Sequence, residues 1–185
     1  MTGTADSGPL TLDAMFEWLE GVVPEGYKSE IVGGHIFLTP QRDTHWDITI
    51  GILEQLRPRY PLKRLLSDVR MDYPGHLNGF ASDVVALAEG PGRRAEFVAE
   101  VISRETSGND YGPKKAAYAA AGVPVYLIVD PYTCEWHLHT LPHEGEYHGH
   151  VRFGFGTVID LTGTAVGLVI RTDEFPRYAA GASAS

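Results

Sequence analysis

Apolar residues change their spacing several times along this chain, and each change marks a new element. Leu12, Met15, Phe16 and Leu19 fall at i, i+3, i+4 and i+7 behind Thr11, a residue suited to an N-cap. That stripe predicts a core-facing helix from Leu12 to about Glu20. Between Tyr27 and Leu38 the apolar residues bracket Gly33-Gly34, which tolerate the positive φ of a tight turn and predict a hairpin. Trp46, Ile50, Leu53 and Leu56 return to helical spacing from Asp43 to about Arg57, and Pro58 and Pro61 end that helix. Leu65–Met71, Val84–Ala88 and Glu96–Ile102 are short runs suited to a pleated sheet.

Next comes a helix over roughly Pro113–Ala121, closed by Gly122, and then at once the strand Val125–Val129. Strand, helix and strand in so short a span predict a crossover and parallel pairing. Cys134–Thr140, Glu146–Arg152 and Ala165–Ile170 alternate as antiparallel additions do. The fold class expected is therefore α/β, a central mixed sheet flanked by helices with an antiparallel C-terminal extension. Residues 10–178 form one domain in this reading, between a disordered leader (1–9) and a disordered tail (179–185).

Composition narrows the function classes. Apolar residues at 43% and charged residues at 21% describe an ordinary globular chain, and no apolar run is long enough to span a bilayer. The first nine residues lack the basic and apolar segments of a secretory signal, so a cytoplasmic location is expected. The lone Cys134 excludes an internal disulfide. The formal net charge of -9 would repel a polyanion at long range unless basic residues cluster locally. Arg57, Arg59, Lys63 and Arg64 are the densest basic run, either a phosphate-facing patch or a solvated loop.

Candidate chemistry centres on acids among apolar neighbours. Strand periodicity puts Glu100 on one face with Val98 and Ile102, an expensive position for a carboxylate without a partner. Asp83 stands at the mouth of the preceding strand, and neighbouring strands would let the two acids converge on one hard cation. By itself Asp83 reads more readily as a turn or strand-edge residue. Lys114 and Tyr118 share a helix face, where an ammonium could orient an attacking water. A lone helix lysine is ordinarily solvated, so the neighbouring acids are what raise Lys114 above that reading.

Asp83-Val-Val, Glu100-Val-Ile-Ser103, Asp110-x-x-x-Lys114-x-x-x-Tyr118, Ala121-Gly-Val-Pro124 and Ile128-Val-Asp-Pro131 together resemble the Uma family of putative restriction endonucleases. That family lies within the PD-(D/E)xK, restriction-endonuclease-like superfamily. The resemblance extends to Glu30-Ile-Val-Gly-Gly34, His45 and Ser67-Asp-Val-Arg70, and so covers most of the chain. It implies a Mg2+- or Mn2+-dependent endonuclease with Asp83 and Glu100 as metal ligands, Lys114 as the catalytic lysine and DNA as substrate. Glu30, His45, Ser103 and Asp110 are secondary candidates, and a homodimer is compatible with this family.

Ile102 stands where the wider superfamily has its lysine, and Ser82 where it has proline before the aspartate. Pro113 favours a helix starting there, which leaves Asp110 in the preceding loop and ranks it below Lys114. A catalytically silent, nuclease-like binding or regulatory module is the alternative. Four histidines lie apart from these residues. With a turn near His143-Glu144, His137 would face His150 and His139 would face His148, as exposed residues to which no zinc site is assigned.

Overall fold

The computed structural model describes residues 10–178, so the expected leader and tail lie outside the described residues. Helix α1 (Leu12–Val22), capped by the Thr11 hydroxyl, leads into the hairpin β1 (Tyr27–Val32) and β2 (His35–Pro40) and then α2 (Asp43–Leu56). A 3-10 turn (Leu62–Arg64) and the short strands β3 (Leu65–Leu66), β4 (Met71–Tyr73) and β5 (Asn78–Phe80) follow. Strands β6 (Val84–Leu87) and β7 (Ala95–Val101) precede helices α3 (Ser107–Tyr111) and α4 (Pro113–Ala120). The remaining elements are β8 (Val125–Asp130), β9 (Glu135–His143), β10 (Glu146–Gly154), β11 (Ile159–Asp160) and β12 (Val169–Ile170).

Six strands form the main sheet in the order β10-β9-β8-β7-β6-β3, and four more form a second sheet, β2-β1-β5-β4. The pair β7–β8 is parallel, as the crossover predicted, and the other pairs of the main sheet are antiparallel. Alternation along β7 divides the core. Phe97, Ala99 and Val101 pack on one face with Ile48, Ile52 and Leu56 of α2, whereas Val98 and Ile102 pack on the other with Tyr118 of α4 and Tyr126 of β8. Both buried strands β6 and β8 are apolar on both faces, as a covered central strand requires.

Several expectations need correction. The predicted strand Leu65–Met71 is broken in two at Asp68, whose φ of 53 takes the chain out of the extended region. Its halves join different sheets. Strand β5 was not anticipated, since Asn78-Gly79-Phe80 is too short to show an alternation. The buried face of α2 carries Ile48, Thr49, Ile52 and Leu56, which leaves Trp46 of the expected stripe on the solvent side. Only Val169–Ile170 of Ala165–Ile170 is a strand, paired with β11.

The hairpin β9–β10 turns on Glu144 and Gly145, both at positive φ, so its register moves by two residues from the one expected. His139 therefore faces His150, and His137 faces Arg152. His139 is buried, not exposed. The basic run follows α2, whose 14 residues separate it from His45 by about 20 Å of helix. Arg64 there donates to the Leu87 carbonyl and lies over the Tyr60 ring, a structural use rather than a phosphate-facing patch.

Candidate functional site

Five elements deliver charged side chains to one end of the two sheets. Asp83 sits one step before Val84, which pairs with Ala99, so it stands across from Glu100 on the neighbouring antiparallel strand. The Val101 amide donates to Asp83 Oδ2 at 2.7 Å, and the Asp83 amide approaches Glu100 Oε2 at 3.5 Å. These contacts are local consequences of strand pairing. The cations come from farther along the chain.

Lys114, on the first turn of α4, is 1% exposed, and its ammonium is surrounded by three carboxylates. Glu100 Oε1 lies at 2.8 Å, Glu30 Oε1 at 3.0 Å and Asp110 Oδ1 at 3.0 Å. An ammonium has three hydrogens, so this lysine is fully engaged. Asp110 reaches it from the short helix α3, which ends at Gly112 and is followed directly by α4. The loop position expected for Asp110 is thus corrected, because a bend at Gly112 accommodates Pro113 at the head of α4 without breaking the i, i+4 contact.

Glu30 projects from the centre of β1 and also accepts the Ala81 amide at 3.0 Å. His45 lies three residues before Ile48 on the core-facing side of α2, which brings its Nε2 within 2.8 Å of Asp83 Oδ1. Ser103 belongs to the turn after β7, where its hydroxyl contacts Thr106 Oγ1 at 2.7 Å rather than a carboxylate. The hydroxyl of Ser82, in the place of the superfamily proline, lies 2.8 Å from Tyr118 OH, which donates in turn to Glu100 Oε1. The sequence-predicted residues Glu30, His45, Asp83, Glu100, Asp110 and Lys114 therefore meet in one cluster.

Lys28 was missed. Its ammonium is 2.6 Å from Asp83 Oδ1 and 3.6 Å from Asp68 Oδ1. A signal for it was present: Lys28 and Glu30 are two apart on one strand and must share a face. Asp68, whose left-handed backbone splits the expected strand, lies beside this pair and accepts from Gln41 Nε2 at 3.1 Å.

Charge governs the ionisation of this cluster. Burial would raise the Asp83 carboxyl, but Lys28 and His45 outweigh it and hold the group well below the usual range. Glu100 goes the other way, from the usual 4.5 to about 8, because burial and the nearby Asp83 charge prevail over Lys114. Burial opposes the charge on Lys28 and Lys114, yet the surrounding carboxylates raise both above the ordinary lysine value. Five acids, Glu30, Asp68, Asp83, Glu100 and Asp110, share two ammonium groups and one imidazole, so acids outnumber bases and the raised Glu100 keeps a proton up to about pH 8.

The interior of the cluster encloses only about 10 Å³, roughly the room one water needs. An open cleft of about 200 Å³ leads to its Lys28–Asp83 side, bordered by Arg42, His45, Trp46 and Asp68. Among the described residues no group of three or more His, Cys, Asp or Glu side chains is arranged to hold a metal. The nearest oxygen donors are Asp83 Oδ1 at the cleft, already contacted by Lys28 and His45, and the weakly engaged Glu100 Oε2 in the small interior behind it. Such a set suits a hard cation that keeps most of its waters, as magnesium does, better than a soft one needing nitrogen or sulfur.

A mixed sheet carrying paired acids on adjacent strands, one of them bonded to a helix lysine, places this molecule among nuclease-like α/β proteins. Its fold is shared with the crystal structure of a putative nuclease belonging to DUF820 from Anabaena variabilis, at a TM-score of 0.67 and 16% sequence identity. That match covers 90% of this chain and 97% of the other. The Uma2 family, described as putative restriction endonuclease, matches residues 13–173, and the chain belongs to it. No curated protein matches the chain. Among the described residues no helix is long and apolar enough to cross a membrane.

Proposed function

We propose that the protein is a divalent-metal-dependent endonuclease that hydrolyses phosphodiester bonds in DNA. The observation that carries this reading is the convergence of Asp83 and Glu100 with the buried Lys114 and the partly buried Lys28 behind an open cleft that reaches Asp83. Asp83 and Glu100 are the residues that would hold Mg2+ or Mn2+. When bound, the cation would neutralise charge on the scissile phosphate and make a water easier to deprotonate.

The chain's own residues divide the remaining work. Lys114, saturated by carboxylates, holds Glu30, Glu100 and Asp110 in place, and so acts as a positioning residue. Lys28 borders the cleft and has hydrogens to spare, which suits it to orient a water or a phosphate oxygen. His45 shares Asp83 with Lys28 and can move a proton at the cleft wall. Membership of a family described as putative restriction endonuclease supports the nuclease reading.

A second reading is a silent binding or regulatory module. It is favoured by Lys28, which already compensates the carboxylate oxygen that a metal would need. Incubating supercoiled plasmid and single-stranded DNA with Mg2+ or Mn2+ separates the two. Metal-dependent cleavage by the parent, lost on Glu100→Ala and Asp83→Asn, is expected. Cleavage that survives both substitutions, or none with any substrate, would defeat the hydrolase reading.

A further inference from the structure

We infer that Trp46 is a stacking platform for an unpaired nucleobase, so that the cleft selects single-stranded nucleic acid or a strand end over intact duplex. The inference rests on the phosphodiester reading above and names the form of substrate that the same cleft takes.

Trp46 lies on the first turn of α2, directly after His45, whose imidazole is 2.8 Å from Asp83. Both residues border the same cleft of about 200 Å³. Because the same cleft also reaches Lys28 and Asp83, a base resting on the indole would lead its backbone toward that end of the acidic cluster. The helix phase makes Trp46 available: its core face is taken by Ile48, Ile52 and Leu56, and the indole is left 52% exposed. Among the described residues the Trp46 ring stacks on no other aromatic, whereas buried Trp136 packs on Phe153 and bonds the Thr157 carbonyl.

Electrostatics argues for a bare strand. Duplex binding depends on neutralising many phosphates with lysine and arginine, and this chain carries a net charge of -9. The basic run beyond α2 is about a helix length away, and Arg42 at the cleft is engaged by Glu105 at 3.0 Å. Stacking on an aromatic face needs no net positive charge and accepts any base, but only where the base face is free.

The test is binding of fluorescein-labelled oligothymidylate and of a blunt duplex of equal length, read by anisotropy with Ca2+ in place of Mg2+ and at two salt concentrations. Parent protein is expected to bind the single strand more tightly than the duplex, with a shallow salt dependence. Trp46→Ala should weaken single-strand binding about tenfold or more. Trp46→Phe should recover most of it. Trp18→Ala is the control, because Trp18 is 59% exposed on α1 but does not border this cleft.

Equal binding of duplex and single strand, an unchanged Trp46→Ala, or no binding of either probe by the parent would overturn the inference. Plasmid cleavage alongside Trp46-independent binding removes the platform and leaves the hydrolase standing. Trp46-dependent single-strand binding without cleavage under any metal does the reverse.

Discussion

Two clusters of ionisable side chains in the same main sheet meet burial in opposite ways. At one end Asp83 and Glu100 draw in lysines from β1 and α4 and form a dense ionic network. On the hairpin edge the rings of His137 and His139 each stack on His150. The His139 and His150 rings are 4.5 Å apart and nearly parallel, and His137 Nδ1 lies 3.3 Å from His150 Nε2. Burial first, and then His150, Lys115 and His137, push His139 down to about 3. The imidazoles thus escape the cost of burial by staying neutral, whereas Asp83 is held ionised beside Lys28 and His45 and keeps a strong local field. Only the second solution leaves charge available to act on a phosphate or a metal.

The contrast is broken most severely at Lys114. Lys114→Met leaves Glu30, Glu100 and Asp110 buried without their shared cation, and a loss of about 3–5 kcal/mol in urea denaturation is expected. A variant as stable as the parent would mean that the carboxylates relax into solvent and that the network is not held by this lysine.

Glu100 sharpens the comparison through pH. Its folded-state value, about 8, lies above the usual 4.5, so the folded protein binds the extra proton between those limits. Stability from this group is therefore full at low pH and declines as pH rises through that window. Glu100→Gln cannot ionise, and its stability relative to the parent should improve by on the order of 4 kcal/mol from about pH 5 to about pH 9. Thermal melts across that range check it, and a pH-independent difference would refute it. Asp83 contributes with the opposite sign, since its depressed value adds stability that is lost only in stronger acid.

The smallest effect is on the hairpin. His139 Nε2 is buried with no hydrogen-bond partner, so His139→Phe should gain roughly 1 kcal/mol at neutral pH. His139 is pushed down from the usual 6.5 to about 3, so the unfolded chain binds more protons between those values and acid favours unfolding there. The Phe variant should lose less stability than the parent when denatured at about pH 5 rather than pH 7. Identical acid sensitivity would mean that the imidazole is already solvated.

How much was legible beforehand follows from the range of each interaction. Alternation along Glu96–Ile102 was enough to put Glu100 on the face of Val98 and Ile102, and Gly122 was enough to end the helix after Lys114. The Gly33-Gly34 hairpin and the parallel β7–β8 pair followed from turn chemistry and connection length. By contrast, the β9–β10 register depended on whether the turn closed at Glu144-Gly145, a one-residue choice that changes every histidine partner. Lys28 could be matched to Glu30 by periodicity, but its bond to Asp83 spans 55 residues and two sheets.

The chain alone determined which residues were candidates: acids in apolar strands, a lysine one helical turn from a tyrosine, and an order of motifs resembling one family. Tertiary structure decided who neutralises whom. It gave Lys114 to three carboxylates and Lys28 to Asp83, and it turned Trp46 outward beside the cleft. Local backbone geometry sets the face a side chain leaves by, and that repeats within a few residues. The partner it meets depends on how distant elements pack, and for buried charges that packing sets both ionisation and role.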